Sequence, residues 1–151
     1  MKKFQFRLQK VLEYRKKIED EKKNELAKHI SRYNQVQKMI DDAYQTKQEI
    51  IKNISTNLND PTSMKLIQQS LLGISQTFSI GKKRLQIIQL DIDRARVDYI
   101  EARKQREVLE KLKEKALKKY KYEEKKKNEK MLEESAIRLW NKGKLREFEA
   151  T

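Results

Sequence analysis

Apolar residues in the second half of the chain recur at spacings that alternate between three and four. The pattern runs from Met64 to Tyr120, and each of its positions except Gly81, Arg106 and Lys113 carries an apolar or aromatic side chain. A seam with a period of about 3.5 residues is typical of a coiled coil and implies a left-handed supercoil. It predicts a long helix over about residues 62–145. The seam positions are Met64, Ile67, Leu71, Ile74, Phe78, Gly81, Leu85, Ile88, Ile92, Ala95, Tyr99, Ala102, Arg106, Leu109, Lys113, Ala116 and Tyr120.

The first part of the chain carries a weaker seam of the same kind, which predicts a helix over about residues 3–58. Charged residues and one histidine interrupt it, and Leu26 and Ile30 lie one residue away from it. Polar seam positions lower stability and help to fix alignment, so we expect this helix to depend on its partner. The seam positions are Phe4, Leu8, Val11, Arg15, Ile18, Lys22, Glu25, His29, Tyr33, Val36, Ile40, Ala43, Lys47, Ile50, Ile54 and Leu58.

A cluster of turn-forming residues at 55–63 separates the two predicted helices, and the reversal itself is expected at about residues 59–62. Asp60 is expected to cap the second helix, with Pro61 at its first position. The reversal makes the helices antiparallel, with residue i facing roughly residue 120 minus i. Residues after about 120 then form a C-terminal overhang. The predicted fold is all-α, a long antiparallel two-helix coiled coil forming a single domain over 1–151.

The composition supports long helices over a compact globule. The chain has 3 Gly and 1 Pro, 40% of its residues are charged, and its formal net charge is +14. Such charge is better tolerated on an elongated, solvated molecule than in a compact one. No apolar run is long enough to span a bilayer and no export signal is recognised, so we expect a soluble protein. The absence of Cys excludes disulfides and thiol chemistry.

The sequence offers little from which a catalytic, cofactor or metal site could be built. It contains one histidine, His29, and no Gly-rich phosphate loop. His29 lies on the seam, where a structural role is favoured over that of a ligand or general base. Neighbouring carboxylates such as Asp41 and Asp42 diverge by about 100° on a helix and cannot share a metal ion. We therefore predict no enzymatic activity, no cofactor and no metal.

Basic residues dominate the stretch 111–130, where ten lysines stand against four glutamates. The lysines surround the helix, and no base-reading motif accompanies them, so nucleic-acid binding is disfavoured. A solvated face and a contact with an acidic protein surface are the stronger interpretations. Tyr120, Tyr122 and Trp140 on the same part of the chain favour a protein contact.

Gly73 and Gly81 lie inside the second helix, where each costs up to about 1 kcal/mol relative to Ala. Local fraying or a close approach of the two helices explains them most simply, and a hinge or binding patch is the alternative. The apolar residues nearby present more apolar surface than one partner helix covers easily. They are Leu71, Leu72, Ile74 and Phe78.

Two motifs stand near the ends of the chain: F-x-F-R-L-x-x-V-L-x-x-R over residues 4–15 and E-K-x-L-x-E-x-A over residues 129–136. Together they resemble the terminal motifs of the flagellar export protein FliJ family. Arg103, Lys104, Leu109 and Leu112 extend the second. Glu133 departs from the family's usual Asp before the final Glu of that motif.

The resemblance implies a non-catalytic component of flagellar type III protein export, with a fold similar to the stalk of the rotary ATPase gamma subunit. Such proteins insert into the hexameric export ATPase, promote its assembly and activity, and bind the cytoplasmic domain of the export gate membrane protein. Export chaperones are further expected partners. The implied location is cytoplasmic, at the inner membrane through the export apparatus, without nucleic acid or direct membrane insertion.

Each partner is assigned a surface from the predicted hairpin. The residues expected to contact the ATPase ring are Phe4, Phe6, Arg7, Leu8, Lys118, Lys119, Tyr120, Tyr122 and Lys125. The residues expected to contact the export gate, at the opposite tip, are Leu71, Leu72, Ile74 and Phe78. The alternatives are a nucleic-acid-associated basic coiled coil and a structural coiled coil that self-associates through its seam.

Overall fold

The computed structural model describes residues 3–54 and 60–150 of the chain. Helix α1 covers Gln9–Ile54 and helix α2 covers Pro61–Glu149, and these described parts contain no strand. The two long helices pack as a hairpin. The predicted fold class, an all-α coiled-coil hairpin, is confirmed.

Helix α1 begins at Gln9, later than the expected start near residue 3. Residues 3–6 have no regular structure and Arg7 and Leu8 form a turn, in which the Gln9 backbone N–H donates to the Phe6 carbonyl oxygen at 3.1 Å. Phe4 and Phe6 are both half-buried. Residues two apart share a side of an extended segment but lie far apart around a helix, which explains the non-helical start.

The far end of α2 also differs from expectation, and the end of α1 is not tested. Helix α1 is described to Ile54, and the end expected near residue 58 falls outside the described residues, together with residues 55–59 of the turn-forming cluster. Helix α2 continues to Glu149 instead of ending near residue 145. The Arg146 carbonyl oxygen accepts from the Ala150 N–H at 3.2 Å, so the helical pattern of hydrogen bonds reaches the last described residue.

The start of α2 forms as predicted. Asp60 Oδ1 accepts a hydrogen bond from the Thr62 backbone N–H at 3.1 Å, and Asp60 Oδ2 accepts one from the Ser63 hydroxyl at 2.9 Å. Pro61 is the first residue of the helix, a position whose N–H has no acceptor within the helix, so the absence of an N–H in proline costs no hydrogen bond. The bond from Thr62 satisfies a backbone donor that a helix N-terminus otherwise leaves unpaired, and the Ser63 hydroxyl holds the Asp60 carboxylate in place.

The chain groups into two compact units. The terminal unit comprises Met1–Arg15 and Gln105–Thr151, and the central unit comprises Lys16–Lys104. Helix α2 contributes to both. In each unit a segment from the first part of the chain packs against α2.

Contacts in both units follow the predicted antiparallel pairing. In the terminal unit, Arg15 donates a hydrogen bond to the side-chain oxygen of Gln105, and the Phe4 and Tyr120 rings lie 5.5 Å apart. In the central unit, Ile40 lies directly against Gly81. The numbers of facing residues add to about 120 in each case, which is the predicted register.

The seam predicted for α2 is correct at every position. Each of its residues from Met64 to Tyr120 is half-buried or buried, and Ile92, Ala95 and Ala102 are among the most buried side chains. Arg106 tolerates its seam position because its guanidinium pairs with the Glu110 carboxylate one turn later. The polar exceptions therefore do not interrupt the interface.

The seam predicted for the start of α1 is wrong by one residue at Val11 and Glu25, whereas its members Arg15, Ile18, Lys22 and His29 are half-buried as predicted. Leu12 is buried at 1% exposure whereas its neighbour Val11 is 42% exposed. Leu26 is half-buried whereas Glu25 is exposed. Spacings that alternate strictly between three and four residues, counted backwards from Tyr33, reach Leu26 and Leu12. The predicted seam instead contained two successive spacings of four, from Glu25 to His29 and from His29 to Tyr33.

Candidate functional site

The terminal unit carries the nine residues predicted to meet the ATPase ring, which we call the terminal surface. The rings of Phe4 and Tyr120 are tilted by 53° with centroids 5.5 Å apart, which is a favourable aromatic geometry. Phe4, Phe6 and Tyr120 are half-buried, so this contact fastens the start of the chain to α2. The structure thus brings both halves of the terminal surface together.

The other members of the terminal surface face solvent. Tyr122 is 67% exposed, although an aromatic side chain of this size is usually covered. Its neighbours Lys118, Lys119 and Lys125 within one helical turn are exposed, and so are Arg7 and Leu8 of the same unit. This combination of an exposed aromatic ring and several cations suits an acidic, partly apolar protein surface.

A groove of about 610 Å³ borders the terminal surface. Besides Phe4, Phe6 and Arg7, it is lined by four residues that sequence reasoning did not assign to a site and by the seam residue Lys113. Three cations and one carboxylate surround it, so its charge is predominantly positive. The four added residues are Gln5, Gln9, Lys10 and Glu13.

The Lys-rich stretch, residues 111–130, is exposed to solvent over most of its length. All of its lysines are exposed except Lys113, which is half-buried. Lys125 and Glu129 form an exposed ion pair at 3.9 Å, a contact that contributes little to stability. Every described residue from Lys125 onward is exposed. These charges are therefore available to a partner without unfolding any part of the interface.

The four residues predicted to meet the export gate lie on α2 in the central unit, but they do not form one exposed cluster. Leu72 is 62% exposed, whereas Leu71, Ile74 and Phe78 are half-buried in the seam. The Lys47 ammonium lies 6.0 Å from the centre of the Phe78 ring. Leu72 is thus the member of this set that a partner reaches most easily.

Gly81 marks a close approach of the two helices, as one interpretation of the sequence predicted. A Cβ atom added there would lie 2.7 Å from Ile40 Cγ1 and 2.8 Å from Ile40 Cδ1. A shallow apolar cavity of about 220 Å³ opens beside it, lined in part by Met39 and Ile80. At Gly73 nothing lies within 4 Å of an added Cβ, so no close approach explains that glycine.

The described residues contain no group of three or more His, Cys, Asp or Glu side chains placed to hold a metal ion. His29 is half-buried on the seam, as predicted, and its Nδ1 atom is buried without a hydrogen-bond partner. Over residues 3–54 and 60–150, neither helix has a stretch sufficiently long and apolar to cross a membrane.

Comparison with known proteins supports the resemblance drawn from the terminal motifs. No curated protein matches the chain, and no solved structure matches it. A family model described as Flagellar FliJ protein matches residues 4–145, and this range contains both motifs, all of α1 and all but the last four residues of α2. Because the match covers nearly the whole sequence, the chain belongs to the flagellar FliJ protein family.

Proposed function

We propose that this chain is a non-catalytic coupling component that inserts into the hexameric flagellar export ATPase through its terminal surface and promotes assembly and activity of the hexamer. Membership of the FliJ family makes it a component of the flagellar export apparatus. The family is one of non-catalytic export components, and no catalytic role is assigned to any residue here.

The observation that carries the proposal is the composition of the terminal surface. The Phe4–Tyr120 contact holds the first residues against α2 and leaves Tyr122 exposed beside Lys118 and Lys119. A component that meets several similar subunits in turn benefits from a charged surface without a deep, selective pocket. Long-range attraction also speeds the encounter with an acidic ring interior.

We assign the export gate to the part of α2 in the central unit that carries Leu72. This side chain is exposed and apolar, and Leu71, Ile74 and Phe78 lie within two turns of it. The partner in this assignment is the cytoplasmic domain of the gate membrane protein. Export chaperones are the remaining proposed partners, and no surface is assigned to them.

The test mixes the purified chain with the export ATPase and measures both hexamer formation and the rate of ATP hydrolysis. We expect both to increase. Reversing the charge of Lys118, Lys119 and Lys125 to Glu is expected to abolish the increase while gate binding persists. An ATPase that does not respond to the unmodified chain would contradict the proposal.

A matched control separates the terminal surface from total charge. The same three reversals at Lys28, Lys38 and Lys83, which are exposed in the central unit, change the net charge equally. This control is expected to stimulate the ATPase normally. Equal loss in both variants would show that net charge, and not the terminal surface, drives the interaction.

The gate assignment has its own test. Leu72→Glu places a charge at an exposed position and leaves the packed seam residues unchanged, so the hairpin is expected to remain folded. We expect it to weaken binding of the gate's cytoplasmic domain while ATPase stimulation stays normal. Unchanged gate binding would remove Leu72 from the proposed contact.

A further inference from the structure

The last part of α2 is exposed and carries no net charge. Every described residue from Lys125 to Ala150 is exposed. Seven large apolar side chains lie in this range, among them Trp140 at 62% exposure, and monomeric proteins seldom leave such side chains crowded together in water. Residues 129–149, which we call the C-terminal segment, contain five bases and five acids. The net charge of +14 therefore lies in the rest of the chain.

One side of the C-terminal segment carries a stripe of six residues, which we call the C-terminal stripe. Their spacings alternate strictly between three and four, so they share one side of the helix. Two apolar residues lie at the centre of the stripe, and one lysine and one glutamate follow on either side of them. The Lys144 ammonium lies 4.0 Å from the centre of the Trp140 ring, so neighbouring members are in contact. The stripe consists of Lys130, Glu133, Ile137, Trp140, Lys144 and Glu147.

The charges of the C-terminal stripe are complementary to those of the same stripe on a second, antiparallel copy. In an antiparallel helix pair centred between residues 138 and 139, Glu133 faces Lys144 of the second copy. In the same alignment Lys130 faces Glu147 of the second copy. Because the arrangement is symmetric, each contact forms twice. Four pairs of opposite charge would therefore hold the two stripes together.

A parallel pairing of the same stripe would have the opposite effect. Each residue would then face its own counterpart, so that glutamates face glutamates and lysines face lysines. Like charges placed opposite each other disfavour association. The antiparallel alignment also directs the Lys-rich stretches of the two copies away from each other, which limits the repulsion between them. The charge pattern thus selects the antiparallel alignment.

The centre of the antiparallel pair is apolar. Ile137 of each copy faces Trp140 of the other, and both side chains are more than half exposed in the single chain. Ala136 and Gly143 lie beside the stripe and come opposite each other, where small residues let two helices approach closely. Nothing lies within 4 Å of a Cβ added at Gly143, so no close approach within the chain explains this glycine.

We propose that the C-terminal segment binds the same segment of a second copy of this chain as an antiparallel helix pair. The segment is neutral, whereas the excess of bases elsewhere opposes contact between two copies. A lipid surface suits it less well, because Glu133 and Glu147 share the side of Trp140 and anionic headgroups repel them. The helix pair is short, so the dimer is weak and depends on concentration. The inference does not rest on ATPase stimulation.

The test measures the mass and the tryptophan emission of the full-length chain over a range of concentrations. Sedimentation equilibrium is expected to give a monomer at low concentration and a dimer at high concentration. Trp140 is the only tryptophan in the sequence, so its fluorescence reports on this segment alone. The emission is expected to shift to shorter wavelength as the dimer forms, since Trp140 then packs against Ile137 of the other copy. Added salt is expected to weaken the dimer.

Charge reversals separate this pairing from the general charge of the chain. Glu133→Lys and Lys144→Glu each place like charges opposite each other twice, so each is expected to raise the dissociation constant at least about tenfold. The two reversals together restore opposite charges and are expected to restore the dimer. In a parallel pair, Glu133→Lys would replace one repulsion between identical residues by another and leave the dissociation constant unchanged.

Two matched controls make the same charge changes on the other side of the helix. Glu149→Lys and Lys142→Glu lie roughly opposite the C-terminal stripe, at about 100° per residue. Each is expected to change the dissociation constant by less than about threefold, because exposed charges away from a contact contribute little.

Several results would overturn the proposal. These are a chain that stays monomeric at every concentration, equal effects of the stripe and control variants, and a combined reversal that fails to restore the dimer. A monomer whose Trp140 emission shifts only on adding the purified export ATPase would assign the segment to that protein instead.

Discussion

Replacing Gly81 by Ala tests how closely the two helices approach in the central unit. In an exposed helix interior this change stabilises by up to about 1 kcal/mol, because Ala has the higher helix propensity. At Gly81 the new Cβ would lie 2.7 Å from Ile40 Cγ1, well inside the usual carbon–carbon separation of about 3.5–4.0 Å. Overpacking of this kind costs about 1–3 kcal/mol.

The expected net result is a loss of stability of up to about 2 kcal/mol for Gly81→Ala. The cavity beside Ile40 offers that side chain some room to move, so the lower part of this range is favoured. Gly73→Ala is the matched control, because nothing lies within 4 Å of its added Cβ. That variant is expected to gain stability.

The assay is urea denaturation followed by far-ultraviolet circular dichroism for both variants. A second arm repeats Gly81→Ala in an Ile40→Ala background, where the obstructing atoms are gone. There the glycine replacement is expected to be stabilising, as at Gly73. If Gly81→Ala stabilises the unaltered protein as much as Gly73→Ala does, the close approach at Ile40 is refuted.

Three further replacements test other contacts by the same denaturation assay. Leu12→Ala should cost about 2–5 kcal/mol and Val11→Ala less than about 1 kcal/mol, and the reverse order would restore the seam first predicted. Asp60→Ala should cost about 1 kcal/mol whereas Asp60→Asn should cost less, and equal effects would argue against capping. A double-mutant cycle with Phe4→Leu and Tyr120→Leu should give a coupling of about 0.5–1.5 kcal/mol, and zero coupling would contradict the ring contact.

Helix α2 could be predicted from the sequence because its seam is almost wholly apolar, so only one register satisfies it. Helix α1 could not be predicted equally well. Arg15, Lys22, His29 and Lys47 occupy seam positions there, and a polar seam leaves the register uncertain by one residue. Arg15 is accommodated by a hydrogen bond to Gln105, and the spacing of residues along the chain does not predict such a side-chain contact.

Parts of the candidate site were predictable for the same reason. The facing rule placed Phe4 near Ala116, one helical turn from its observed partner Tyr120, so register predicted the neighbourhood of the aromatic contact but not the partner ring. The groove residues Lys10 and Glu13 could not be predicted from register, because their positions depend on where α1 begins. The exposed apolar side chains of residues 131–149 follow no single seam, so periodicity predicted no contact for them.

The account depends most on the first residues of the chain folding back onto α2 within one molecule. The protein has no cysteine, so Cys introduced at the exposed positions Lys10 and Lys111 can be spin-labelled selectively and their separation measured by pulsed electron paramagnetic resonance. Facing helices predict a label separation of roughly 10–30 Å that persists when excess unlabelled protein is added. A separation too long to measure, or a short one that disappears on such dilution, would contradict the hairpin.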